Sequence, residues 1–231
     1  MPSVIEAMHG GLIVSCQAYP GEPLRDPMIM ARMAQAAVEG GAVAIRVQGI
    51  ADIEQAVQAV QVPVIGLWKD GADGVFITPT PAHAAAVAKA GAHVVALDGT
   101  RRPRPDGSTL EECIAAVREV SDALIMADCG STEDAVAAVA AGADLVGTTL
   151  SGYSGERPKT EGPDVDLVRE MCAAVSVPVV AEGRVHSPAQ AAEVLAAGAW
   201  AVCVGTAITH PTTLTRWFGE ALASVQPVAG A

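Results

Sequence analysis

A lysine, Lys69, follows directly on the apolar, strand-forming run Val62-Pro63-Val64-Ile65-Gly66-Leu67-Trp68 and precedes Asp70. The chain has three lysines (Lys69, Lys89 and Lys159) against eleven arginines, so its surface cations are mostly arginine and a lysine here calls for a reason. A partly desolvated amine can give up its proton, which a guanidinium cannot do. Other apolar runs also end in groups able to hold or move a proton, or to bind a polar ligand. They are Cys16-Gln17, Arg46, Asp98, Asp128, Thr148-Thr149 and Glu182, with Gly205-Thr206 after the last run. Gathered in one place, an amine, a guanidinium and carboxylates can do general acid–base chemistry. The plain alternative is a collar of ion pairs, Arg46 with Asp98 or Lys69 with Glu182, serving stability alone.

Two further segments suit a phosphate. Glu182-Gly183-Arg184 combines a permissive glycine with a guanidinium, and Gly205-Thr206 offers backbone N–H groups ahead of a helix. Read plainly, either is a tight turn. The histidines show no His-x-His or His-Glu-x-x-His spacing, so no metal site is expected, and no Gly-x-Gly-x-x-Gly follows a strand. His83, His93 and His186 read as surface or packing residues, and Cys16 and Cys129 as small buried hydrophobes.

The elements that must position these groups recur along the chain. Gly-Gly-Ala at 40–42 and Ala-Gly-Ala at 90–92, 141–143 and 197–199 each lead into a strand-forming run. Their central glycines, Gly41, Gly91, Gly142 and Gly198, lie 50, 51 and 56 residues apart. A glycine there can take the left-handed conformation that ends a helix and turns the chain into a strand. Further strands are expected at 12–16, 62–69, 123–128 and 177–182. Ala-rich helices are expected near 27–39, 51–59, 81–89, 109–119, 132–140, 164–174, 188–196 and 212–223, several behind caps such as Asp26-Pro27, Thr80-Pro81, Ser108, Ser131 and Ser187-Pro188. Strands alternating with helices imply parallel pairing, and eight units predict a closed (β/α)8 TIM barrel, one domain over residues 1–231 with 224–231 as a frayed tail. An open doubly wound sheet is the alternative. The long connections, 70–80, 99–107 and 149–163, all follow strands, which predicts a site on the carboxyl-end rim.

Composition narrows the partners. A net charge of −12 argues against nucleic acid or an anionic membrane surface as partner. No apolar run reaches the roughly 18 residues of a membrane span, and Met1 to His9 lack the basic and apolar regions of a signal peptide. Five cysteines, an odd number with no Cys-x-x-Cys pair, read as reduced thiols and a cytoplasmic setting.

Several of these segments together match one pattern: Ser15-Cys16-Gln17-Ala18, Lys69-Asp70, Ile77-Thr78-Pro79-Thr80, Leu97-Asp98-Gly99-Thr100-Arg101, Arg104-Pro105 with Gly107, Met126-Ala127-Asp128, Gly147-Thr148-Thr149-Leu150-Ser151-Gly152-Tyr153 and Ala181-Glu182-Gly183-Arg184. From about residue 10 to 220 the chain resembles the N-acetylmannosamine-6-phosphate 2-epimerase family of sialic-acid catabolism. The resemblance implies a barrel isomerase, often dimeric, that interconverts N-acetylmannosamine 6-phosphate and N-acetylglucosamine 6-phosphate without a cofactor. It also implies Lys69 and Glu182 as catalytic residues and Gln17, Arg46 and Asp128 as substrate contacts. Thr148 is a further expected substrate contact, and Gly183, Arg184, Gly205 and Thr206 are expected to hold the phosphate. Three features depart from the family pattern. Asp70 stands where a basic residue is usual, His210 stands where arginine is usual, and the segment 71–75 is atypical.

Inverting C2 of an N-acylated amino sugar requires removing a proton alpha to the open-chain aldehyde and returning it on the other face. A free lysine titrates near ~10.4, too high for such a base. Burial and a nearby Arg46 would lower that value, and a Glu182 carboxylate would oppose the shift. Lys69 is expected to move the proton, with Glu182 as its partner and Arg46 or Lys69 itself stabilising the enediolate oxygen. Rival readings are a Schiff-base aldolase or another phosphosugar barrel enzyme with Lys69 as nucleophile, and a non-catalytic phosphosugar-binding barrel.

Overall fold

A computed structural model describes residues 3–225. The strands are β1 (Leu12–Cys16), β2 (Ala44–Gln48), β3 (Val64–Leu67), β4 (Val94–Asp98), β5 (Leu124–Asp128), β6 (Leu145–Gly147), β7 (Val179–Glu182) and β8 (Ala201–Val204). Each pairs in parallel with the next, and β8 pairs back onto β1, so the sheet closes and the open-sheet alternative is excluded. Closure removes every free edge and requires the side chains to alternate between barrel interior and helix layer.

That alternation decides where the chemistry goes. Ala44, Ile65, Leu67, Val94, Met126, Leu145, Val180 and Cys203 belong to one apolar cluster, the barrel interior, capped from below by Met8. Their neighbours Ile45, Val47, Val95, Ile125, Ala127 and Val146 belong to a second cluster under the helices. Two residues beyond an interior position lies another interior position. Arg46, Asp128 and Glu182 therefore point into the barrel at its carboxyl end, and Lys69 follows Leu67 on the same face.

The covering helices are α2 (Pro27–Glu39), α3 (Ile50–Ala59), α4 (Pro81–Lys89), α5 (Leu110–Arg118), α6 (Thr132–Ala141), α7 (Val165–Ala174), α8 (Pro188–Ala196) and α10 (Pro211–Ala223), close to the sequence expectations. Asp26, Thr80, Ser131 and Ser187 cap their helices as expected, but α5 is capped by Thr109 in a capping box with Glu112 rather than by Ser108. Gly142 ends α6 at φ 107°, and Gly41, Gly91 and Gly198 share the left-handed backbone that the repeat implies. Two short helices lack an expected counterpart, α1 (Val4–Met8) and α9 (Thr206–Thr209). α1 closes the amino end of the barrel, where the Trp200 indole donates to the Ile5 carbonyl at 2.9 Å. Of the expected tail, Ser224 and Val225 form the turn after α10, and 226–231 lie outside the described residues. No helix among the described residues is long and apolar enough to cross a membrane.

Candidate active site

A cleft of roughly 510 Å³ opens at the carboxyl end of the strands, and Gln17, Lys69, Glu182, Gly183, Arg184, Gly205 and Thr206 all line it. Lys69 and Glu182 reach it from β3 and β7, strands four apart in a closed order of eight, and so from opposite sides of the barrel. Lys69 is held by a short antiparallel bridge to Ile77. Asp70 N donates to the Phe76 carbonyl at 3.0 Å and Thr78 N to the Trp68 carbonyl at 2.7 Å, so residues 71–75 form a projecting loop. Thr78 takes φ 45°, a costly conformation for a β-branched residue, stabilised by the bond its hydroxyl accepts from Trp68 N at 3.0 Å.

Beneath the cleft lies an ionic floor. Arg46 is 1% exposed and Asp128 0%. Both terminal nitrogens of Arg46 donate to Asp128, at 3.2 and 2.6 Å, and Arg46 Nη1 also lies 3.3 Å from Glu182 Oε2. The alternative of an ion-pair collar does not hold in the pairs it named. Asp98 pairs with Arg102 at 2.8 Å rather than with Arg46, and Lys69 forms no ion pair among the described residues. Lys69 instead lies under Tyr19, its Nζ 4.8 Å from the ring centroid. Burial, helped by the charge of Arg46, lowers the Lys69 amine to about 8 against the pull of Glu182 and Asp128. Burial raises the Glu182 carboxyl, Asp128 adds to that rise, and Arg46 opposes it.

The remaining expected residues divide. Gln17 lines the cleft and donates to Ser15 Oγ at 2.8 Å, while its carbonyl oxygen is buried without a partner. Thr148 faces away from the cleft: its hydroxyl donates to the Glu182 carbonyl at 2.9 Å and accepts from Glu182 N at 3.0 Å, tying β6 to β7. The parity that sends Val146 outward sends Thr148 with it, and Thr149 is the threonine that faces the cleft. Arg184, at φ 56°, spends its donors on the Gly162 and Ser151 carbonyls and Thr160 Oγ1, so it clamps the 149–163 loop beside the cleft. Gly183 takes φ 106°, so the turn after Glu182 needs a residue without Cβ.

Sequence reasoning assigned no role to Tyr19, Tyr153 or Arg102, and of the Thr148-Thr149 pair it took Thr148 as the substrate contact, whereas Tyr19, Tyr153, Arg102 and Thr149 line the cleft. Thr149 was legible from strand parity alone. The tyrosines come from loops and carry no periodic signal. His210 also lines the cleft, 8% exposed, with Nδ1 3.7 Å from Glu22 Oε1. Cys16 and Cys129 pack outward, buried among the helices.

Comparison with known proteins agrees with this geometry. A family model described as "Putative N-acetylmannosamine-6-phosphate epimerase" matches residues 30–224. A protein of Cutibacterium acnes bearing the name "Putative N-acetylmannosamine-6-phosphate 2-epimerase" is 56% identical, over 95% of this chain and 96% of its own. One of the same name from Caldanaerobacter subterraneus is 46% identical, over 93% and 92%. The solved N-acetylmannosamine-6-phosphate 2-epimerase of Clostridium perfringens superposes with a TM-score of 0.91 at 37% identity, covering 95% of this chain and 96% of that one. The thiamine phosphate pyrophosphorylase of Pyrococcus furiosus, 20% identical with a TM-score of 0.63, shares the barrel alone. By its matched residues, its fold and its identity to these relatives, the chain belongs to the N-acetylmannosamine-6-phosphate epimerase family.

Proposed function

We propose that this chain is an isomerase that interconverts N-acetylmannosamine 6-phosphate and N-acetylglucosamine 6-phosphate by moving the C2 proton, with no cofactor taking part. The observation that carries this reading is the amine of Lys69, lowered to about 8, on the opposite side of one cleft from the raised carboxyl of Glu182. In the open-chain sugar the C1 aldehyde acidifies the C2–H bond. The neutral Lys69 amine takes that proton, and the bonding pair moves onto the C1 oxygen as an enolate. The resulting ammonium, with the buried positive charge of Arg46 below, stabilises this oxygen. Glu182 is the proton partner on the opposite face of C2, and the aldehyde re-forms as C2 is protonated there.

Gln17, with its unpartnered carbonyl oxygen, suits a hydroxyl or the N-acetyl N–H. Asp128 acts from the floor by holding Arg46. The phosphate falls to the backbone at Gly183 and at Gly205-Thr206, with the clamped Arg184 loop alongside. Incubation with N-acetylmannosamine 6-phosphate in heavy water tests the reading. Deuterium is expected at C2 of the product by NMR, and product formed without label would overturn it.

The working unit is a homodimer in this reading. No residue of α10 is fully buried, and Phe218 is 73% and Leu222 74% exposed. Beside it an apolar groove of roughly 370 Å³ runs over Leu12, Leu195, Val202, Val204 and Ile208. A second copy offering its own α10 covers both surfaces at once. Sedimentation should give a dimer that Phe218→Asp with Leu222→Asp converts to monomer, and a wild-type monomer would refute it. All five cysteines are free, which fits a reducing cytoplasm.

A further inference from the structure

We infer that Thr149 is a positioning residue whose single hydroxyl proton divides the two carboxyl groups under the sugar site into a fixed anion, Asp128, and a proton carrier, Glu182. The inference rests on the roles of Lys69 and Glu182 proposed above and adds how Glu182 comes to hold a proton.

Thr149 Oγ1 lies 2.7 Å from Asp128 Oδ1 and 3.2 Å from Glu182 Oε2. A hydroxyl owns one proton and cannot donate to both. The shorter contact goes to a carboxylate that Arg46 already holds through two hydrogen bonds, and a bond to an ionised acceptor is the stronger kind. Thr149 therefore donates to Asp128. Toward Glu182 the same oxygen is an acceptor, and that contact is favourable only when Glu182 carries the proton.

The other groups facing Glu182 pull in both directions, burial and Asp128 toward the protonated carboxyl, Arg46 and Cys203 toward the ionised one. Arg46, from β2, hydrogen-bonds Asp128 and meets Glu182 only as an ion-pair contact at 3.3 Å. Asp128, from β5, adds a negative charge that opposes ionisation of Glu182. The Cys203 thiol, from β8, is pushed well above its ordinary value by burial and so adds no charge of its own, while its hydrogen bond to Glu182 favours the ionised carboxyl. Lys69, from β3, and Tyr19, after β1, line the same cleft. Read the other way, as a donor to Glu182, the Thr149 hydroxyl would hold that carboxyl down. The two readings predict shifts of opposite sign.

Thr149→Val removes the hydroxyl and keeps the branched shape, Thr149→Ala serves if the valine variant does not fold, and Thr149→Ser restores the hydroxyl. Infrared difference spectroscopy of the free protein should show a protonated-carboxyl band that Glu182→Gln abolishes. In Thr149→Val that band is expected to titrate about one pH unit lower, a tenfold change in the protonation equilibrium. Thr149→Ser should titrate as the wild type does. kcat should fall about tenfold in the valine variant with KM within about twofold, as for a group acting through Glu182 on the proton transfer. A band midpoint that stays put, or that moves to higher pH, overturns the inference. A wild-type protein that fails to exchange C2 overturns the functional reading instead and leaves the infrared result standing.

Discussion

Arg46 Nη2 lies 2.6 Å from Asp128 Oδ2, with both side chains sealed beneath the cleft. Burial alone would make the guanidinium easier to deprotonate, but the carboxylates of Asp128 and Glu182 reverse that, so it stays charged. Asp128→Ala leaves that charge without its main partner and is expected to cost about 3–5 kcal/mol. The loss should appear in a urea titration. The double variant Arg46→Met with Asp128→Leu, which removes both charges, should lose less. An unchanged midpoint in Asp128→Ala would show that the pair does not support the fold.

The Lys69 amine works as a base only when neutral, and it sits at about 8 because burial and Arg46 disfavour its charged form. In Glu182→Gln, which cannot ionise, one face of C2 keeps its base. Deuterium exchange there is expected to rise with pH through about 8 or slightly below, since Glu182 raises the amine only when it is ionised and glutamine never is. Lys69→Arg, charged throughout, should lose at least roughly 10²–10⁴-fold at every pH. Exchange that falls as pH rises from 6 to 9 in Glu182→Gln contradicts the assignment.

Gly66 lies on β3 where a Cβ would stand 2.8 Å from Ala92 Cβ and 2.9 Å from Ile53 Cδ1. Those atoms belong to the packed layer between the sheet and its helices, with no slack to absorb a methyl group. Gly66→Ala should destabilise the protein by about 1–3 kcal/mol and, by moving β3, displace Lys69. Calorimetry and kcat should decline together. A stable variant with low kcat, or the reverse, would separate β3 packing from the position of the amine.

His210 lines the cleft beside Gly205 and Thr206, with Glu22 as its acidic neighbour. His210→Arg installs a permanent cation there. KM for the phosphorylated sugar is expected to fall roughly tenfold at pH 8, the scale of one charge-assisted hydrogen bond, with kcat little changed. An unchanged KM would place the phosphate elsewhere in the cleft.

The sequence alone determined the repeat of helix, glycine and strand, because left-handed glycines and helix caps are local features that tertiary context reinforces. The same local logic placed Lys69, Arg46, Asp128 and Glu182 at strand ends, and the barrel brings their side chains to one end. Which of them touch was decided only in three dimensions. Arg46 pairs with Asp128 of β5 rather than with Asp98 of β4, while Asp98 finds Arg102 four residues on in its own loop. Thr149 rather than Thr148 faced the cleft because inward and outward positions alternate along β6. The loop side chains Tyr19 and Tyr153, and the clamp of Arg184 on the 149–163 loop, depend on contacts between segments far apart in the chain, and no periodicity announces them.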